Sequence, residues 1–121
     1  MSRILAVDDD KDILEVLQFI LEDSGYQVET LTDGRRLLEA IKDHEPDLIL
    51  LDIMLGNVDG RDLCKNVKAR TETHDIPVIM ISASHSISDV LQQECAPDDF
   101  ISKPFDINVL LNKVKQQLAA A

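Results

Sequence analysis

The stretch Ile4-Leu5-Ala6-Val7-Asp8-Asp9-Asp10 decides the fold. Four apolar residues with no polar alternation are the mark of a strand buried on both faces, and here they run straight into three carboxylates. At about 4 Å and an effective dielectric near 20, two like charges repel by roughly 4 kcal/mol, so this crowding needs a reason. A helix cap accounts for one, because Asp accepts from the unpaired N–H groups of a helix start. Asp10 takes that role, which leaves Asp8 and Asp9 to explain.

Further apolar runs follow at Val28–Leu31, Leu48–Leu51, Val78–Ile81 and Phe100–Ile101. The Leu48 and Val78 runs are also unbroken, as in a buried parallel strand, whereas Gln27-Val28-Glu29-Thr30-Leu31 alternates and suits an edge. Between the runs lie helical periods. Ile13, Val16, Leu17, Ile20 and Leu21 form the first stripe, after Asp10 and before a Gly25 stop. Asp33 caps a second helix with Leu37, Leu38 and Ile41 inward, ending before Pro46. Leu63 and Val67 mark a third, Ser86 to Glu94 a weak fourth, and Asp106 caps a fifth carrying Ile107, Leu110, Leu111, Val114 and Leu118. Five strands, each followed by a helix, imply parallel pairing through right-handed crossovers. The expectation is one doubly wound α/β domain over residues 1–121, with no linker, repeat or low-complexity tract.

Composition narrows the function. The net charge of −11, from 12 Lys plus Arg against 23 Asp plus Glu, opposes a phosphate-backbone grip, so direct nucleic-acid binding is not expected. Cys64 and Cys95 lack zinc-type spacing and read as reduced, packed thiols, while His44, His74 and His85 are scattered and read as surface residues. There is no signal-peptide pattern and no apolar run of membrane-spanning length, so a cytoplasmic protein without membrane contact is expected.

In open parallel sheets, ligands bind at the carboxyl ends of the strands, so the residues just after each apolar run matter most. Those residues are Asp8 and Asp9, Asp52, Ser82 and Lys103. Taken singly, each has a plain structural explanation as a turn residue, a cap or a solvated charge; the joint pattern points to a site. Without a cation, three carboxylates would force one to protonate, and a hard dication relieves this. Mg²⁺ suits carboxylate oxygens, and there is too little nitrogen or sulfur here for zinc. With Mg²⁺ and Lys103 the rim binds phosphoryl oxygens, and an Asp carboxylate can itself attack phosphorus. Of the acids, Asp52 alone ends a central buried strand. Asp59 sits in a Val-Asp-Gly turn, and Asp98 and Asp99 precede the last strand as solvated or cap-like groups.

These residues resemble the receiver domain of two-component response regulators along essentially the whole chain. The matching elements are Asp8-Asp9, Leu51-Asp52-Ile53-Met54-Leu55, Val58-Asp59-Gly60, Ser82-Ala83 and Asp98-Asp99-Phe100-Ile101-Ser102-Lys103-Pro104-Phe105. The resemblance implies a flavodoxin/CheY-like sheet of order 2-1-3-4-5 flanked by five helices. It implies Asp52 as phosphoacceptor, charged by a sensor histidine kinase or histidine phosphotransfer protein. Asp8, Asp9, Asp52 and the Met54 carbonyl would hold Mg²⁺, and Lys103, joined to Pro104 by a cis bond, would pair with the phosphoryl group. Ser82 and Phe100 would switch the face of the fourth helix, fifth strand and fifth helix toward a downstream effector. A Mg²⁺-dependent phosphatase with an aspartyl nucleophile is the alternative, but no Asp-x-Asp-x-Thr run follows either Asp8 or Asp52.

The chain departs from the usual family form at Leu55-Gly56-Asn57-Val58, where the family commonly has proline, and at Ala96-Pro97, where Gly-Ala is common. No Lys or Arg occurs from Thr71 through Ser102, which disfavours the charged-face dimer of many transcription-factor receivers. A monomer or weak dimer is expected.

Overall fold

The computed structural model describes residues 2–56, 58–82, 97–103 and 105–120. In chain order the elements are β1 (Arg3–Val7), α1 (Lys11–Asp23), β2 (Gln27–Leu31), a 3-10 turn (Gly34–Arg36), α2 (Leu37–His44), β3 (Leu48–Asp52), β4 (Met54–Leu55), β5 (Val58–Asp59), α3 (Gly60–Ala69), β6 (Val78–Ser82), β7 (Asp99–Ser102) and α4 (Ile107–Ala120). Five strands form one parallel sheet in the order β2-β1-β3-β6-β7. The antiparallel pair β4–β5 stands apart from it and was not foreseen; counting it changes the written order from 2-1-3-4-5.

Burial explains the order. β3 and β6 are buried at every residue and lie inside the sheet, while β2, buried only at Val28, takes an edge. Successive side chains of a strand point to opposite faces, so each central strand feeds two cores. Leu5, Val7, Ile49, Leu51 and Met80 pack with α2 and α3; Ile4, Ala6, Leu48, Leu50 and Ile79 pack with α1 and α4. Cys64 is fully buried in the first core, packed as expected. His44 and His74 are exposed.

The caps follow the sequence. Asp10 accepts from the N–H groups of Asp12 (2.9 Å) and Ile13 (3.4 Å), and Asp106 from those of Asn108 (2.7 Å) and Val109 (3.2 Å). Asp33 caps the 3-10 turn that precedes α2, through Arg35 N–H at 3.0 Å, rather than α2 itself. Gly25 has φ +96, the left-handed turn that ends α1.

Several expectations need correction. The buried stripe of α1 is Leu14, Leu17, Ile20 and Leu21, and Val16 is 51% exposed. The first helix carries two overlapping apolar stripes about one residue apart in rotation, and the sheet takes the one with more leucine. On α4, Leu110 and Val114 are fully buried whereas Ile107 is half exposed. Four α-helices lie among the described residues; the expected helix from Ser86 to Glu94 falls outside them, as do His85 and Cys95. No helix among the described residues is long and apolar enough to cross a membrane.

Candidate functional site

Strand register brings the rim together. Val7 pairs with Leu51, so the residues that follow them, Asp8 and Asp52, stand side by side at the sheet's carboxyl end. Ser82 pairs with Ser102, and Lys103 comes next, its N–H donating to the Ser82 carbonyl at 2.8 Å. Asp8, Asp52 and Ser82 are buried at this edge.

Lys103 is the keystone. Its Nζ donates to Asp8 Oδ2 at 3.1 Å and to Asp52 Oδ2 at 3.2 Å, joining residues 95 and 51 positions away. The other oxygens are tied to main chain: Asp8 Oδ1 accepts from Asp10 N–H at 3.0 Å, and Asp52 Oδ1 from Met54 N–H at 3.4 Å. The turn that starts α1 thus orients Asp8, so Asp10 serves the rim through its N–H while its side chain caps the helix. Asp9 is exposed, and one carboxylate oxygen each from Asp8, Asp9 and Asp52 lies within 4.8 Å of the others. Met54 is 70% exposed beside them, and Phe100 is half-buried against the core that includes Met80. Pro104, and with it the expected cis bond, falls outside the described residues.

Burial and the neighbouring Asp8 charge push the Asp52 carboxyl up to about 6, against the pull of Lys103 in the other direction. For Lys103, burial acts to lower its affinity for a proton, but hydrogen bonding to Asp8 and the charges of Asp52 and Asp8 outweigh it, so its ammonium is held above the ordinary range. One ammonium against three carboxylates leaves the rim negative, and every donor in the acidic set is a hard oxygen. That composition fits Mg²⁺, with Asp8, Asp9 and Asp52 as the residues able to hold it.

The remaining acids separate cleanly. Asp59 caps α3 through Arg61 N–H at 2.8 Å and receives the Arg61 guanidinium at 2.7–3.1 Å, so it serves the turn as expected. Asp98 is exposed, as expected, but it is not a cap: its Oδ2 accepts from Lys68 Nζ (2.6 Å) and Val78 N–H (2.8 Å), joining α3 to the start of β6. Asp99 pairs with Lys113 at 2.9 Å. Sequence reasoning named Gly60 as part of the Val58-Asp59-Gly60 turn but gave it no role of its own. A Cβ there would run into the Asp52 carbonyl oxygen and come within 2.9 Å of Ile53 Cα, so only glycine lets α3 start against the end of β3. An Asp-Gly pair at a helix start, shortly after β3, was the available signal.

The fold is thus a parallel α/β sheet with two adjacent acids, a third acid, a hydroxyl and an amine at its carboxyl rim. Residues 4–115 match the family model of the response regulator receiver domain, and the chain belongs to that family. Among solved structures it is similar to the signal receiver domain of a signal transduction histidine kinase from Syntrophus aciditrophicus, with 36% identity, 100% of this chain and 92% of that one covered, and a TM-score of 0.91. It is likewise similar to a CheY-like response regulator receiver domain protein from Methanospirillum hungatei JF-1 (31% identity, 99% and 95% covered, TM-score 0.89). The receiver domain of NtrX from Brucella abortus also matches (34% identity, 98% and 99% covered, TM-score 0.86).

Proposed function

We propose that residues 1–121 form a single receiver whose Asp52 accepts a phosphoryl group from a histidine kinase or histidine phosphotransfer protein. The observation that carries this reading is the buried bridge in which one ammonium, Lys103, spans Asp8 and Asp52 at 3.1 and 3.2 Å. Such a rim has a carboxylate to attack phosphorus and a cation to meet the oxygens it carries.

In the proposed reaction an Asp52 carboxylate oxygen bonds to phosphorus as the bond from phosphorus to the donor's imidazole nitrogen breaks, and the imidazole, with a proton on its other ring nitrogen, leaves neutral. Asp8, Asp9, Asp52 and the Met54 carbonyl are the groups to hold Mg²⁺, which when bound draws charge from the phosphoryl oxygens. Lys103 turns from the Asp52 carboxylate to a phosphoryl oxygen, and the Ser82 hydroxyl reaches another. Phe100 follows Ser82 inward, and the face of β7 and α4 then changes toward a downstream effector. The domain catalyses its own phosphorylation and dephosphorylation and acts on no separate substrate. We place it in the cytoplasm, as a monomer or weak dimer, without nucleic-acid contact by this domain.

Incubation with Mg²⁺ and acetyl phosphate, followed by intact mass, tests the reading. One acid-stable, base-labile phosphoryl group is expected on the wild type, absent from Asp52→Asn and present on Asp59→Asn. Multiple turnover of unrelated phosphomonoesters would overturn it in favour of a phosphatase.

A further inference from the structure

We propose that α4 grips β7 through a two-point clasp, Lys113 and Gln117, and that this clasp passes the state of the rim to α4. The inference rests on the reading of Asp52 as acceptor and adds the link that reports it. Lys113 and Gln117 stand four residues apart, on one side of the helix. Lys113 Nζ donates to the Phe100 carbonyl at 2.8 Å and to Asp99 Oδ1 at 2.9 Å, and Gln117 Nε2 donates to the Asp98 carbonyl at 3.3 Å. Asp99 Oδ1 also accepts from Phe100 N–H at 2.8 Å, and the Lys113 ammonium lies 5.6 Å from the centre of the Phe100 ring.

These contacts close a ring. Both main-chain polar groups of Phe100 are bonded into the Lys113–Asp99 pair, so a shift of Phe100 strains all three bonds together. β7 is an edge strand, hydrogen-bonded to the sheet on one side only through β6. Three residues beyond Phe100 the same strand delivers Lys103, whose ammonium spans Asp8 and Asp52. A phosphoryl group that draws Lys103 away from this bridge therefore pulls on the strand that Lys113 holds. The packing of α4 does not need the clasp, because Leu110 and Val114 already bury the helix against the sheet. The Lys113 and Asp99 side chains are 29% and 23% exposed, which places the ring at the surface rather than in the core.

Hydrogen exchange of the α4 peptides, with and without acetyl phosphate and Mg²⁺, tests this on wild type, Lys113→Met and Lys115→Met, an exposed charge change on the same helix. In the wild type and Lys115→Met, loading changes α4 exchange about threefold or more. Lys113→Met takes up phosphate to the same extent by mass and loses that α4 change, as loss of the bonds to the Phe100 carbonyl and Asp99 predicts. A full α4 response in loaded Lys113→Met overturns the proposal, as does an unresponsive α4 in loaded wild type. Absence of phosphate on the wild type refutes the acceptor reading instead, and the mass measurement identifies that outcome. Should Lys113→Met fail to fold, Gln117→Ala tests the second contact, and an undiminished response there overturns the clasp.

Discussion

Asp52→Asn is expected to make the metal-free protein more stable at neutral pH, although it removes the proposed acceptor. The Asp52 carboxyl is pushed from 3.8 up to about 6 by burial and by Asp8, which corresponds to a native state disfavoured by about 3 kcal/mol once the group is ionised. The sign follows from where the proton binds more tightly. The folded protein holds it better than the unfolded chain, so this group's contribution to stability is most favourable below about pH 4, falls as the pH climbs through 6, and levels off above it. Asparagine removes the charge and keeps an oxygen for Lys103. At pH 8 a gain of about 1–3 kcal/mol is expected, a few degrees in melting temperature per kcal/mol, shrinking toward zero near pH 4. Urea unfolding followed by circular dichroism, in EDTA, at pH 4, 6 and 8 measures it. A variant no more stable than wild type at pH 8, or a difference independent of pH, refutes the reasoning.

Three further outcomes follow from contacts described above. Lys103→Met leaves Asp8 and Asp52 buried without their cation and should cost about 3 kcal/mol or more in EDTA at pH 8, with Mg²⁺ restoring part of the loss in the same urea titration. Gly60→Ala drives a methyl group into the Asp52 carbonyl and Ile53 Cα and should cost about 2–4 kcal/mol and slow uptake of phosphate from acetyl phosphate, both measurable on one preparation. Leu14→Ala should lower stability by about 2–5 kcal/mol, while Val16→Ala, on the exposed side of α1, should stay within about 0.5 kcal/mol; equal losses would show that α1 buries a different stripe.

What was legible in the sequence was whatever a single element carries by itself. β3 and β6 are buried on both faces, so their unbroken runs announced strands, and parallel pairing then put Asp8, Asp52, Ser82 and Lys103 on one rim. Asp10 and Asp106 announced helix starts because a cap acts within three residues. The rest depends on distance across the fold. Two-residue strands such as β4 and β5 have no period to detect. The choice between Leu14 and Val16 is made by the sheet against which α1 lies. Asp98 looked like a loop acid because its partner, Lys68, is 30 residues away. That Lys103 spans both buried carboxylates, and that Gly60 is wedged against Asp52, are likewise facts of assembly.

The separation of Lys103 from Asp8 by 95 residues has an outcome for the cell's bookkeeping of signals. The amine arrives just after an edge strand, 51 residues beyond Asp52, so a copy in which β7 is not docked presents Asp8 and Asp52 without their counter-ion. On the proposed reading of Asp52, such a copy makes a poor recipient for a donor's phosphoryl group, so competence to be charged depends on β7 being docked against the sheet.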